Sequence, residues 1–179
     1  ASIVLSFVIL GKLMEVSGAT KFFTDLALGW MGHRQGGPAK VAVVASSAFG
    51  MVSGSTVGNI MSTGIVTIPL MKRTGFKAHY AAAIEAVASN GGQIAPPVMG
   101  ATAFLIAEFL EVAYVDVVIA AAVPAFLYYV VLFLQVDAVS SRFGLKGLPK
   151  EELPNALRVL LTGWIYLIPI AVLLYYLFW

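Results

Sequence analysis

Two polar interruptions stand out in an otherwise apolar chain. Residues 53–59 read SGSTVGN, and residues 89–97 read SNGGQIAPP. Backbone groups freed inside a bilayer cost several kcal/mol each unless they find partners. Broken helices therefore persist at membrane depth mainly where the break lines a cavity or binds a solute. Two such breaks in one short chain point towards solute transport.

Both interruptions offer neutral oxygen atoms and contain no carboxylate. Hydroxyl, amide and freed carbonyl oxygens suit a monovalent cation such as Na⁺, whereas a divalent cation normally requires carboxylates. We therefore predict sodium as the metal ion and no transition-metal site. Half-helix N-termini near Thr56 and Val98 carry partial positive charge and are suited to a substrate carboxylate. The alternative for the first interruption is tight helix packing through Gly50, Ser53, Gly54 and Gly58, which follow the spacing of small-residue interfaces.

Glu85 precedes the second interruption inside an apolar segment. A carboxylate at membrane depth is a candidate for proton or cation coupling. The alternative is that Glu85 lies close enough to the cytoplasm to be solvated, or is paired with Lys72 or Arg73. The two histidines are far apart in the sequence, and we expect both to be interfacial.

Composition sets the fold class. Of the 179 residues, 60% are hydrophobic and 11% are charged, and the mean hydropathy is +0.91. These values predict an all-α integral membrane protein, with room for about five or six segments of roughly 20 residues. The net charge of +2 is too small to indicate nucleic acid binding, and the absence of cysteine excludes disulfides and thiol catalysis.

The apolar segments and their polar boundaries divide the chain into five parts. Residues 1–38 form scaffold helices, the first of them truncated, and the apolar chain ends suggest a fragment of a longer reading frame. Residues 39–111 hold a helical hairpin (39–73) and a broken helix (77–111). A transmembrane helix (112–136), a cytoplasmic loop (137–155) and a further transmembrane helix (156–179) complete the chain.

The length of the arms favours a re-entrant hairpin for residues 39–73. Each arm has about 14 residues, or roughly 20 Å of helix, which is short for a hydrocarbon core of about 30 Å. Both outer ends are basic, with Lys40 on one arm and Lys72 and Arg73 on the other. By the positive-inside rule the loops 33–40, 72–77 and 142–150 are cytoplasmic, and the acidic turn 108–116 is external. Two short crossings are the alternative.

Six motifs together resemble a known family. They are FGMVSGSTVGN (49–59), STG (62–64), TIPLMKRTG (67–75), IEA (84–86), GGQIAPPVMG (91–100) and KGLPKEELP (146–154). The chain resembles the large membrane subunit of tripartite ATP-independent periplasmic (TRAP) transporters, and in particular the fused permease that works with a TAXI-class binding protein. The resemblance covers essentially the whole chain.

The resemblance implies a multi-pass permease of the prokaryotic inner membrane that imports organic acids with Na⁺ by an elevator mechanism. The implied partners are an extracytoplasmic solute-binding protein, a small membrane subunit or its fused equivalent, and a second inverted repeat of the same polypeptide. Of that architecture, only the first repeat and the opening helix of the second are expected here. No enzymatic activity and no cofactor besides the coupling ion are implied.

Motif position implies the site residues. The implied Na⁺ ligands are Ser53, Ser55, Asn59, Gly91 and Gly92. Thr56, Ser89, Asn90, Pro96 and Pro97 are implied as substrate-facing or auxiliary residues. Gly58 and Asn90 stand where the family often has Ala and Thr, and Asn90 leaves the coordination open.

Two other functions remain open at this point. One is an intramembrane serine hydrolase that uses the Ser-Gly-Ser segment, which would need a base beside the serine. The other is an ion channel or a membrane scaffold subunit that does not transport.

Overall fold

Every regular element in the described part of the chain is helical. In this computed structural model the backbone is described for residues 2–178 and the side chains for residues 9–175, so the predicted segment ends at positions 1 and 179 lie outside it. The α-helices are α1 Ser2–Val16, α2 Ala19–Met31, α3 Gly37–Ser53, α4 Thr56–Arg73, α5 Ala78–Gly91, α6 Ala101–Leu110, α7 Tyr114–Arg142, α8 Ala156–Gly163 and α9 Ile168–Phe178. Short 3₁₀ helices cover Lys150–Glu152 and Trp164–Leu167.

Within the described part of the chain, two segments are long and apolar enough to cross a membrane. They are α7, with 29 residues, and the stretch Lys150–Tyr175, with 26 residues. α6, α7 and the C-terminal helices carry large exposed apolar side chains, among them Phe109, Phe126, Leu134 and Leu161. Such outward apolar faces are what a lipid environment favours.

Helices α3 and α4 pack against each other as a hairpin whose turn is only two residues long, Gly54 and Ser55. Gly54 has φ +60°, a left-handed conformation that glycine adopts without strain. The Ser55 hydroxyl caps α4 by accepting from the Gly58 N–H at 3.1 Å. The arms have 17 and 18 residues, about 26 Å each, and are longer than the predicted arms. This length also fits two short crossings.

The predicted broken helix is interrupted between α5 and α6. Pro96 and Pro97, joined by a cis peptide bond, lie in this gap and supply no backbone N–H, so the helical ladder does not continue through them. α6 begins at Ala101, three residues after the start that the sequence suggested. The Gly100 N–H bonds back to the Gln93 carbonyl at 2.8 Å, which folds the connection onto itself before α6 starts.

The C-terminal helices differ in extent from the prediction. α7 continues past residue 136 to Arg142, and Ser140 is buried in this extension with its hydroxyl on the Val136 carbonyl. The predicted helix 156–179 is divided by the 3₁₀ turn Trp164–Leu167. Close packing accompanies this division, since a Cβ on Gly163 would lie 2.2 Å from the Phe22 ring and the Tyr166 hydroxyl donates to the Ser17 carbonyl at 2.8 Å.

The three basic loops gather at one end of the bundle. Buried Lys40 of α3 pairs with Asp137 of α7, and Arg73 at the end of α4 pairs with Glu152. The Leu148 N–H donates to the Gly32 carbonyl at 2.9 Å. This is the grouping of loops that the charge distribution predicts for a cytoplasmic side.

Small residues let α3, α5 and α7 approach closely. Their shared core combines Ala39, Ala42, Ala81 and Ala88 with larger neighbours such as Met71, Leu132 and Val136. A second core joins α1, α2 and α3 through Met14, Phe22, Phe23 and Phe49. Within lipid, such interfaces are held by van der Waals packing rather than by removal of apolar surface from water. The hairpin therefore lies between two packed groups of helices.

Candidate functional site

The hairpin turn and the break between α5 and α6 are in direct contact. The Val98 N–H donates to the Met51 carbonyl at 3.1 Å, so a backbone hydrogen bond ties the end of α3 to the break. A Cβ built on Gly54 would lie 2.0 Å from the Met99 carbonyl oxygen. Only glycine fits that position, and the two polar interruptions meet there.

A second close approach lies one turn deeper in the hairpin. A Cβ on Gly50 would lie 2.8 Å from the Gly92 Cα and 2.9 Å from the Asn59 amide nitrogen. A Cβ on Gly92 would lie 2.6 Å from the Gly50 Cα. The glycines thus bring the backbones of α3 and of the break together beside Asn59.

A cleft of about 680 Å³ opens between α1, the hairpin turn and the break. The N-terminal ends of α4 and α6 both border it, at Ser55 and at Gly100. From α1 it receives Lys12 and Glu15, which form an ion pair at 2.9 Å. The other lining residues are Gly11, Ser53, Gly54, Val57, Gly58, Met61, Gln93, Val98, Met99, Ala101, Thr102 and Phe104. Two positive helix ends and an ammonium group therefore face one cleft.

Ser53 is the least satisfied polar residue of this cleft. Its Oγ atom is out of reach of solvent and has no hydrogen-bond partner among the described residues. Burying a hydroxyl group without a hydrogen-bond partner costs the free energy of its hydration in water. It is thus available as an oxygen ligand.

A second polar cluster surrounds Glu85 in the interior, away from the cleft. Its side chain is 0% exposed, so the solvated alternative is wrong. The hydroxyls of Ser46 (3.0 Å), Ser89 (3.3 Å) and Thr63 contact one carboxyl oxygen, and the Thr67 hydroxyl contacts the other. The alternative pairing with Lys72 or Arg73 is wrong as well, because no ion pair among the described residues includes Glu85 and the Arg73 side chain binds Glu152.

Asn59 connects this interior cluster to the hairpin backbone. Its amide nitrogen donates to the Ser46 carbonyl at 2.8 Å, and its amide oxygen lies 3.1 Å from the Thr63 hydroxyl. Asn59 is fully buried. It therefore lies between the close glycine contact and the hydroxyl groups that hold Glu85.

The implied sodium ligands are distributed over three surfaces. Ser53 and Ser55 line the cleft, whereas Asn59 lies in the interior and Gly92 packs on α3. Gly91 faces α7, where a Cβ would lie 2.5 Å from the Tyr128 ring.

The auxiliary residues are also divided. The Thr56 hydroxyl approaches the Asn90 amide oxygen at 3.4 Å on the exposed side of the turn. Ser89 belongs to the Glu85 cluster. Pro96 is partly buried and Pro97 is buried, and the Pro97 carbonyl faces the Tyr114 hydroxyl at 3.3 Å.

Tyrosines of α7 bond carbonyls near the end of α5 and within the break. Tyr128 donates to the Val87 carbonyl at 2.7 Å, and Tyr129 donates to the Ala88 carbonyl at 3.1 Å. Tyr114 donates to the Val98 carbonyl within the break. Because the last four carbonyls of a helix lack intrahelical partners, the Tyr129 bond satisfies one that the interruption leaves open, at Ala88.

Sequence reasoning missed these tyrosines and three of the hydroxyl residues around Glu85, namely Ser46, Thr63 and Thr67. One signal for the latter was present: Asn59, Thr63 and Thr67 follow at four-residue spacing and so share one face of α4. The tyrosines gave no comparable signal, because interfacial aromatic residues are common in membrane helices.

Among the residues described, no group of three His, Asp or Glu side chains lies together as a metal-binding set. Neither His33 nor His79 lines the cleft, so no histidine stands beside Ser53 or Ser55 as a base for the hydrolase alternative.

Comparison with known proteins adds family evidence to this geometry. Residues 1–178 match the family described as "Tripartite ATP-independent periplasmic transporter, DctM component". The chain is 31% identical over 91 residues to a putative TRAP transporter large permease protein of Haemophilus influenzae, covering 51% of the chain and 21% of that relative. It is 28% identical over 147 residues to the C4-dicarboxylate TRAP transporter large permease protein DctM of Pseudomonas aeruginosa, covering 82% of the chain and 34% of that relative.

A third relative is the 2,3-diketo-L-gulonate TRAP transporter large permease protein YiaN of Escherichia coli, 31% identical over 100 residues, which are 56% of the chain and 23% of that protein. The chain thus matches between about a fifth and a third of the length of these relatives. The family match extends over nearly all of the chain, through the hairpin, the break and α7. The chain therefore belongs to the DctM component family of tripartite ATP-independent periplasmic transporters.

Proposed function

We propose that this chain is part of the permease of a Na⁺-coupled, binding-protein-dependent secondary transporter that imports organic acids across the prokaryotic inner membrane. The observation that carries the proposal is the contact between the hairpin turn and the helix break, which borders the cleft. In this family context, helix ends that line a cavity are suited to anionic substrates and coupling ions.

The substrate carboxylate binds in the cleft between α1 and the two helix N-termini. The ends of α4 and α6 provide backbone N–H groups and partial positive charge. Lys12 adds a full positive charge, and it is held by Glu15 at the cleft wall. A carboxylate entering the cleft competes with Glu15 for Lys12, so this ion pair is exchanged during binding.

Sodium binds to the oxygens of the hairpin and the break. The proposed ligands remain Ser53, Ser55, Asn59, Gly91 and Gly92, and the buried, unpartnered Ser53 hydroxyl supports this set. Because these residues now lie on three surfaces, the set closes around the ion only when the hairpin and the break shift relative to each other.

The hairpin is re-entrant in this proposal, and it moves with the broken helix as the mobile unit of an elevator. Its turn contacts the middle of the segment 77–111 rather than either end, which supports a turn at half depth. A second inverted repeat, a small membrane subunit and an extracytoplasmic binding protein complete the transporter.

Substitution of Ser55 and Asn59 tests this proposal. In the complete permease, reconstituted with its small subunit and binding protein, Ser55→Ala and Asn59→Ala should each weaken the Na⁺ dependence of organic-acid uptake. Ser47→Ala is the matched control, because the Ser47 hydroxyl bonds only the Val44 carbonyl of its own helix in the described structure. Uptake with an unchanged Na⁺ dependence in both variants would refute the site. Na⁺ flux without the binding protein would favour a channel instead.

A further inference from the structure

Glu85 is a buried carboxyl that the proposed sodium and substrate sites do not use. Its bonds within the described residues come from hydroxyl groups of α3, α4 and α5, and none comes from a basic side chain. A charge removed from water is very unfavourable unless it is paired, and hydroxyl dipoles compensate for it only in part.

The charged groups on the helices around Glu85 are engaged elsewhere or lie at helix ends. Lys40 of α3 pairs with Asp137 of α7, and Arg73 of α4 pairs with Glu152. The remaining ionic groups near these helices, placed at their terminal turns or outside them, are Lys72, Lys77, His79, Asp116 and Arg142. The tyrosines of α7 that face α5, Tyr128 and Tyr129, bond backbone carbonyls.

The space around Glu85 suits a proton and not a larger cation. Both carboxyl oxygens are in direct hydrogen-bond contact with hydroxyls, and Glu85 does not line the cleft. A sodium ion would have to displace these contacts. A proton adds no heavy atom and removes the uncompensated charge.

Thr63 is the link between Glu85 and Asn59. Its hydroxyl has one hydrogen but four oxygen neighbours: a Glu85 carboxyl oxygen, the Ser46 hydroxyl, and the side-chain (3.1 Å) and main-chain (2.7 Å) oxygens of Asn59. When Glu85 is ionised, the Thr63 hydrogen points to the carboxylate, and the Asn59 amide oxygen is left without it. When the Glu85 oxygen that contacts Thr63 carries a proton, the carboxyl O–H donates to the Thr63 oxygen, and the Thr63 hydrogen is released to the two Asn59 oxygens, the amide oxygen among them.

We propose that Glu85 is a proton-binding site and that Thr63 transmits its protonation state to Asn59. The coupling part of this inference rests on the proposed function, in which Asn59 is a sodium ligand. Ionised Glu85 leaves the Asn59 amide oxygen free for a cation and adds negative charge nearby. When Glu85 is protonated, the Thr63 hydroxyl donates to that oxygen instead. Binding of the proton and binding of sodium therefore compete.

The test uses the complete permease and two measurements. Infrared difference spectra across a pH change should show a protonated-carboxyl band that Glu85→Gln removes and that Thr63→Val retains. The matched control is Glu108→Gln, which alters an exposed carboxyl of α6 and should leave this band in place.

Sodium affinity is measured over the same pH range. It should rise with pH in the unaltered permease by between about fivefold and 100-fold, the usual size of coupling between two sites. Glu85→Gln should make the affinity independent of pH, and Thr63→Val should reduce the dependence without removing the carboxyl band.

Three results would overturn the inference. The proton site is refuted when Glu85→Gln leaves the infrared band unchanged. The coupling is refuted when Thr63→Val keeps the full pH dependence of sodium affinity, or when Glu85→Gln does. Absence of sodium binding at every pH, with the Glu85 band present, would refute the proposed sodium site and the coupling but support the proton site, so the two failures are distinguishable.

Discussion

Gly92→Ala should destabilise the contact between the hairpin and the helix break. Gly92 has φ −60° and ψ −28°, which alanine adopts readily, so backbone strain does not contribute to the effect. The added Cβ would lie 2.6 Å from the Gly50 Cα and 2.9 Å from the Gly50 carbonyl carbon. Both neighbours are main-chain atoms and cannot turn away as a flexible side chain can.

The size of the effect follows from the movement required. Ordinary carbon contacts lie at about 3.5–4.0 Å, so the two backbones must separate by roughly 1 Å. Forcing an extra methyl group into a packed interior typically costs about 1–3 kcal/mol. Each kcal/mol lowers Tm by about 2–4 °C in a protein of 150–250 residues and by less in a larger one, so this is the upper limit for the complete permease.

The assay is thermal unfolding of the complete permease in detergent, followed by intrinsic fluorescence. Gly58→Ala is the matched control, because its new Cβ would meet only side-chain atoms, the Ser55 hydroxyl at 3.1 Å and Glu15 at 3.6 Å. Alanine inside helix α4 also gains up to about 1 kcal/mol of helix propensity. A Gly92→Ala protein as stable as the Gly58→Ala protein would refute the close approach of the two backbones.

Two further pairs of substitutions test the contacts that hold the bundle. Tyr129→Phe leaves the Ala88 carbonyl without its partner and should lower the free energy of unfolding, measured by chemical denaturation, by about 1–3 kcal/mol. Tyr80→Phe is the control and should change this free energy little, because the Tyr80 hydroxyl has no hydrogen bond within the described residues. Asp137→Asn leaves Lys40 charged and unpaired although only 8% of its side chain is exposed. It should therefore destabilise the protein more than Lys40→Met, which leaves an aspartate whose side chain is 48% exposed. Equal effects of the two substitutions would contradict a buried lysine.

Local signals predicted much of the hairpin and the break. The Ser-Gly-Ser turn and the paired prolines each end a helix for reasons within a few residues: a left-handed glycine, a serine cap and missing N–H groups. The two arms together span residues 37–73, close to the predicted 39–73, and the break ends where α6 begins at Ala101.

The parts that depend on partners across the bundle were not predictable in this way. The four-residue spacing of Asn59, Thr63 and Thr67 marks a polar face of α4, but it does not say which helix meets that face. Glu85 had two alternatives in the sequence, and packing of α4 on α5 excluded both by burying its carboxyl among hydroxyls. The 3₁₀ turn at Trp164–Leu167 likewise lies next to contacts with residues that are distant in the sequence: Gly163 packs on the Phe22 ring of α2, and Tyr166 bonds the Ser17 carbonyl.

Disulfide trapping tests most directly whether the two interruptions form one site. The 179 residues contain no cysteine, so a pair introduced by Met51→Cys and Val98→Cys is free of competing thiols within this region. These residues are joined by a backbone hydrogen bond, which places their Cα atoms near the Cα–Cα distance of about 4.4–6.8 Å that a disulfide needs. The account predicts rapid cross-linking of this pair in membranes and none between Met51→Cys and Val112→Cys, beyond the far end of α6. No cross-link between positions 51 and 98, or one equally fast in both pairs, would contradict it.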